Sequence, residues 1–244
     1  MGRLTRISNR SFLWALCTLL IVLVTVLVIW PNAHSKEIGQ FEDLYRAHVG
    51  YLNQKGTFPA IVMIGTQPQS WRVVMYPWIT NDGFLGRYDT SKPFDSVENI
   101  SAIENRASNG RFFGECYSSK LRDFQVSRHA SILRITGSGT LGIDGRLNPP
   151  DGAKFTILAV ECQESTSLWT STTDFDLSRY TDAELDQWLH NGSRIAIFSN
   201  GDIRRFKRSI SGTEFRSFCS ASGNDAVDLT KTELVKSCVL FGKE

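Results

Sequence analysis

The chain has 244 residues, with 27 Lys and Arg against 25 Asp and Glu, a formal charge of +2. That balance, without a dense basic stripe, excludes a nucleic-acid binder built on phosphate attraction. The length suits one sizeable domain or two small ones beside a terminal segment.

In chain order, the first signal is at the N-terminus. Arg3, Arg6 and Arg10 precede an apolar run over residues 12–30, free of charge, Gly and Pro and closed by Pro31. At about 1.5 Å rise per residue it reaches roughly 28 Å, close to the hydrocarbon thickness of a bilayer. The run predicts a transmembrane helix in contact with membrane lipid. The positive-inside rule puts residues 1–11 in the cytoplasm and the rest outside. A cleaved signal peptide has a shorter core and a small-x-small cleavage site, which Trp30-Pro31-Asn32-Ala33 matches poorly, so a retained anchor is the better reading.

After Pro31, where helix chemistry predicts a break or kink, Ile38, Phe41, Tyr45, His48 and Leu52 recur at steps of three and four. That is one stripe of an amphipathic helix. Lys55-Gly56 ends it, and Phe58-Pro59 opens an extended segment. From there the chain reads as short strands and turns. Strands are expected over 131–136, 155–160, 194–199 and 202–206. Thr181-Asp182-Ala183-Glu184 is a capping box before a short helix carrying Leu185, Trp188 and Leu189. Asn200-Gly201 predicts a tight hairpin, read as a type I′ turn with φ > 0 at both central positions. One long helix followed by an antiparallel sheet is an α+β plan.

Cys17 lies in the apolar run. Cys116, Cys162, Cys219 and Cys238 would face an oxidising compartment, where an even number favours disulfides. Three connectivities are open, and Cys219 with Cys238 is preferred because both lie in the C-terminal segment. No C-x-x-C spacing supports a zinc ribbon.

No nucleophile elbow, Walker loop or H-E-x-x-H helix occurs, so no enzyme chemistry, cofactor or metal is expected. His34, His48 and His129 read as packed or surface residues. Asp174 and Asp176, and the group Asp182, Glu184 and Asp186, lack the spacing of a calcium loop and read as surface charge. Trp71, Trp78, Trp169 and Trp188 could form a sugar-stacking platform. Core packing explains them without a ligand.

Taken together, several segments resemble a bacterial prepilin-like family related to type II secretion pseudopilins. Ala47, Tyr51, Gly56, Phe58 and Pro59 resemble its helix end and the G-x-F-P that follows. Ser70-Trp71-Arg72-Val73, Pro77-Trp78-Ile79, Leu85, Tyr88-Asp89, Pro93-Phe94-Asp95-Ser96 and Asn99 resemble its S-W-R-V to P-W-D-S block. Cys116 stands about where the family has C-P-S. Gly137-Ser138-Gly139-Thr140 resembles G-P-G-T. The stretch from Thr156 to Glu161 resembles T-I-L-V-V-E, and Trp169-Thr170 with Asp174 resembles W-T-x-P-x-D-L. His190, nine residues and Asn200-Gly201 resemble an H-x9-D-G signature, with Asn for Asp.

The resemblance implies a pilin-like extracytoplasmic domain over 31–206 and a C-terminal extension over 207–244 with a cysteine pair. It implies a non-enzymatic envelope scaffold or a subunit of a secretion or pilus-like system, at a bacterial cytoplasmic membrane. A glycan- or peptide-binding module is the alternative. Trp71, Arg72, Pro77, Asp95, Glu161, Trp169, His190, Asn200 and Gly201 are then motif residues with structural roles, His190 through a hydrogen bond to backbone near the hairpin. The family's leader ending in Gly before F-T-L-x-E has no counterpart, since Gly2 is too early and no Glu precedes Glu37. No prepilin peptidase is expected to act. The bacterial resemblance discounts the glycosylation patterns at Asn99 and Asn191.

Overall fold

A computed structural model describes residues 14, 17–20, 30–57, 62–64, 66–79, 86–107, 130, 132–141, 155–162, 167–168, 170–191, 194–220 and 227–238. The chain divides into residues 1–39 and 40–244, each taken by itself below.

In the first unit, Trp14, Cys17, Thr18, Leu19 and Leu20 are helical. The Thr18 hydroxyl donates to the Trp14 carbonyl at 2.8 Å. Helix α1, Trp30–Lys55, begins here and runs on into the second unit. Pro31 stands in its first turn, where a missing N–H costs no helical bond. Among the described residues no helix is long and apolar enough to cross a membrane. The transmembrane helix expected over 12–30 is therefore not shown. The long described helix, α1, is amphipathic, with Lys36, Glu37, Glu42, Asp43 and Arg46 along it.

In the second unit α1 buries Gln40, Phe41, Leu44, Tyr45, Ala47, His48 and Tyr51. Phe41, Tyr45 and His48 of the expected stripe are buried while Leu52 is half-buried, and the buried face widens to the neighbouring row as i, i+3, i+4 packing against a core requires. Gly56 closes the helix at φ +73°, its N–H donating to the Leu52 carbonyl at 2.7 Å.

Next come the two-stranded hairpin of β1, Val62–Ile64, and β2, Gln67–Gln69. Two helices follow where strands and turns were expected: α2, Trp71–Ile79, and α3, Val97–Ala107. Val73, Val74, Trp71 and Tyr76 favour strands, yet burial of Trp71, Arg72, Val73, Met75 and Tyr76 holds α2. Ser70 caps α2, its Oγ accepting from the Arg72 N–H at 3.2 Å, and Ser96 Oγ accepts from the Asn99 N–H in α3. Pro77 is tolerated inside α2.

Six strands make the main sheet: β3, Ile132–Thr136; β4, Ile157–Glu161; β5, Phe175–Asp176; β6, Ile195–Phe198; β7, Asp202–Phe206; and β8, Thr232–Ser237. Their order is β5-β3-β4-β6-β7-β8. The sheet is mixed, a correction to the antiparallel sheet expected. The chain leaving β4 crosses to the outer side of β3, so β5 pairs with β3 in parallel through Ile135↔Phe175. The other neighbours are antiparallel. Strands β4 and β6 are buried at every residue, as strands covered on both faces must be.

Helices α4, Asp182–His190, and α5, Gly212–Cys219, pack on each other. Rings of Phe175, Trp188, Phe215, Phe206, Phe218 and Phe198 continue that contact onto the sheet, with centroids 4.7–5.9 Å apart along the series. Phe215 and Phe218 are buried, each worth about 1.5–3 kcal/mol of transfer free energy. Beyond β7, α5 supplies core rings and β8 pairs with β7 at the edge of the sheet.

The hairpin between β6 and β7 lies where Asn200-Gly201 put it, but the turn differs. The Gly201 N–H donates to the Phe198 carbonyl at 2.9 Å, and only Gly201 of the pair has positive φ, +87°. This is a three-residue loop over 199–201, a type I turn followed by a left-handed glycine. Asn200 stays at negative φ because its Oδ1 accepts from the Asp202 N–H at 3.0 Å.

Candidate functional site

Residues about a hundred positions apart meet in one buried knot. Its centre is Asp174, in the loop before β5. Arg72 Nη2 donates to Asp174 Oδ1 at 2.6 Å, with the two side chains 0% and 3% exposed. Trp71 Nε1 donates to both carboxylate oxygens at 3.0 and 2.9 Å. The Arg134 backbone N–H, on β3, donates to Oδ1 at 3.2 Å. The Arg72 guanidinium also donates to the Ile132 and Ser171 carbonyls, each at 3.3 Å. A single side chain therefore ties the start of α2 to β3 and to the loop ahead of β5.

The Trp71 ring is the knot's apolar wall. The Arg72 guanidinium lies 4.6 Å from its centroid and that of Arg134 5.6 Å. Both distances allow cation–π attraction, strengthened by desolvation. His48 of α1 tilts against the same ring at 5.5 Å. His48 Nδ1–H donates to the Leu44 carbonyl at 2.9 Å, which fixes the tautomer. Burial, with the Arg134 cation adding to it, pushes the His48 pKa down to about 3, against the pull of the Leu44 carbonyl. His48 is a neutral packed ring at neutral pH. Burial likewise depresses Arg134.

A second clamp sits beside α2. Asn99 is fully buried and accepts from the Asp89 N–H at 2.7 Å through Oδ1. Its Nδ2 donates to the Asp89 and Pro93 carbonyls at 3.0 and 2.9 Å. It holds the Pro93-Phe94-Asp95-Ser96 turn, and its burial removes it as a glycosylation acceptor.

The third cluster is on the surface, between α4 and α5. Thr181 with Glu184 and Ser211 with Glu214 form two capping boxes. Asp182 accepts from Thr213 Oγ1 at 2.7 Å and from Arg216 Nε at 2.6 Å. These bonds hold the Asp182 carboxyl below its usual range. Arg216 also donates to the Leu177 and Tyr180 carbonyls.

The motif residues separate into groups. Trp71 and Arg72 enter the knot. Glu161 is buried at the end of β4, paired in register with Ile132. Pro77 and Asp95 are exposed. Trp169, Cys116 and His129 lie outside the described residues, and so does the His34 side chain. His190, at the end of α4, donates from Nε2 to the Arg208 carbonyl at 2.6 Å, just past β7. It does not meet Asn200 or Gly201. Gly201 faces Tyr45 and the Cys238 carbonyl, where a Cβ would stand 2.8 and 2.9 Å from them.

The preferred disulfide is absent. Cys219 and Cys238 are free thiols, one buried at the end of α5 and the other half-buried just after β8. Nearness in sequence misled here, because α5 and β8 belong to different layers. Burial raises the Cys219 thiol pKa and pushes that of Cys238 up to about 11. Cys162 is buried next to β4.

Arg134 and Arg216 are the residues that sequence reading missed, while Asp174 and Asn99 entered it as points of the family resemblance, without the roles seen here. Asp174 and Asp176 looked like one acidic pair. In fact Asp176 turns away and caps the Leu177–Arg179 turn, accepting from the Ser178 N–H at 3.0 Å. A signal for α5 was present in Ser211-Gly212-Thr213-Glu214, a capping box by spacing. Among the described residues no group of three or more His, Cys, Asp or Glu could hold a metal.

Chemically the knot is closed. Every donor of Trp71 and Arg72 aimed at Asp174 is taken up, and the carboxylate is too buried to meet a substrate. No protein-family model, curated protein or solved structure matches the chain.

Proposed function

We propose that the chain is a non-enzymatic bacterial envelope protein whose extracytoplasmic domain serves as a pseudopilin-like scaffold or secretion-system subunit. The observation that supports this most is the destination of the motif residues. Ser70-Trp71-Arg72 and the later Asp174 converge on a closed structural knot, and Asn99 on a loop clamp, so this pattern encodes packing and not a reaction. Trp71 is fully buried and Trp188 lies in the ring series, which argues against these two as a sugar platform. The arginines beside the apolar N-terminal stretch favour a place at the cytoplasmic membrane.

The test is cell fractionation, then crosslinking and capture from a detergent extract of the envelope. The reading expects the chain in the membrane fraction, with an envelope or secretion-system protein crosslinked to the domain. Recovery in the cytosolic fraction with cytoplasmic partners would overturn it.

A further inference from the structure

A groove of about 520 Å³ is lined by residues of the 137–140 turn, the Leu177-Ser178 segment after β5, and α5. Its size falls within the roughly 300–1,000 Å³ of small-ligand sites. One rim is formed by Gly137, Ser138 and Thr140. The others are Leu177-Ser178 and the face of α5 carrying Thr213, Arg216, Ser217 and Cys219, continuing to Ser220. A bridge between Thr140 and Ser220 joins two of these walls.

The lining chemistry narrows the ligand. Arg216 is its one cation, and Asp182 and the Leu177 and Tyr180 carbonyls already take up the guanidinium. An anion would find no uncompensated charge. The lining holds no carboxylate, so a cation has no ligand either. The lining exposes more carbon than polar surface, with Leu177 its one aliphatic side chain, but a hydrophobe there would leave the Ser138 and Ser220 hydroxyls covered without partners. What remains is a ring of hydroxyls. Those of Ser178, Thr213 and Ser217 donate to Asp176, Asp182 and the Glu214 carbonyl, which leaves their lone pairs as acceptors toward the groove. The hydroxyls of Ser138 and Ser220 donate to no protein group among the described residues. Gly137, at φ +130°, puts no side chain at its own place on the rim, so a ring can approach the backbone there.

We infer that this groove binds a short neutral glycan, whose hydroxyls exchange hydrogen bonds with Ser138, Ser220 and the acceptor hydroxyls of Ser178, Thr213 and Ser217. The inference does not rest on the scaffold reading, and it uses no tryptophan.

Hydrogen exchange on the full chain in a zwitterionic detergent tests it, with millimolar chitotetraose, maltotetraose or inorganic phosphate added. One of the two oligosaccharides should protect residues 137–140 and 213–220, and phosphate should not. Ser138→Leu, at an exposed position, should keep the circular dichroism spectrum and weaken binding about tenfold. Ser220→Leu should do likewise. Three results would each overturn the inference: no protection there by either oligosaccharide, protection by phosphate alone, or equal binding in both folded variants. Failure would leave the envelope reading untouched, because fractionation and crosslinking decide that independently.

Discussion

The knot at Asp174 and the patch between α4 and α5 use the same chemistry in opposite surroundings. In each, a carboxylate takes an arginine at 2.6 Å together with a neighbouring neutral donor. Asp174 and Arg72 are 3% and 0% exposed, whereas Asp182 and Arg216 are 48% and 33% exposed. Water and salt screen the second pair and cannot reach the first. The dry pair is costly to break because its orphaned partner stays buried without compensation. The wet pair orients two helices whose cohesion comes from Phe215, Trp188 and Leu185. Identical contacts thus serve as a lock in one place and as trim in the other.

The widest gap between the two should come from cutting one side of each. Asp174→Ala leaves the Arg72 guanidinium and Trp71 Nε1 buried, and should cost about 3–5 kcal/mol in urea unfolding. Asp182→Ala should lower the midpoint far less, and raising salt to about 1 M should nearly erase that loss, since the screening length is then about 3 Å. Equal losses at the two sites would break the comparison.

Next in size is Gly201→Val. It forces a β-branched residue into positive φ and drives a Cβ against Tyr45 and the Cys238 carbonyl, so it should destabilise the domain by about 1–3 kcal/mol. Denaturant melts against Asn200→Ala, which removes only the bond to the Asp202 N–H, isolate the backbone effect.

His48 gives a pH test of the knot's dryness. Its folded pKa, about 3, lies below the unfolded value near 6.5. Between these values the unfolded chain binds the extra proton, so the stability His48 contributes is full above pH 6.5 and is lost as pH falls toward 3. Between roughly pH 6.5 and 5 most carboxylates remain ionised. A decline in stability over that window should flatten in His48→Leu. A decline of the same slope in the variant would mean that His48 is wet.

The smallest effect concerns the caps. Glu214→Gln removes a charge that Lys231 and the Ser211 N–H hold below the usual carboxylate range. It should lower the melting temperature slightly, more at low salt than at high salt.

Much of this architecture was legible. The α1 stripe, the Thr181 capping box, the strands around β3, β4, β6 and β7, and the 200–201 turn all follow from short-range patterns. What was lost depends on long-range partners. Trp71-Arg72-Val73-Val74 has the composition of a strand and becomes a helix because Asp174, about a hundred residues on, holds its first turn. Asp174 beside Asp176 reads as surface charge until the fold turns one inward. Cys219 and Cys238 looked like a staple because sequence shows their separation but not that they sit in different layers. The type I turn at residue 200 was misread for a local reason, because an Asn-Gly pair satisfies two turn types and register chooses between them.

The most direct measurement is a double-mutant cycle on Arg72 and Asp174, using Arg72→Met, Asp174→Leu and the pair, read by urea unfolding of the full chain. The account predicts strong coupling, about 2–3 kcal/mol, with the double variant more stable than either single one because neither member of the pair is left buried without the other. Additive losses, with a double variant less stable than both singles, would contradict the claim that the Trp71-Arg72 motif exists to lock this fold.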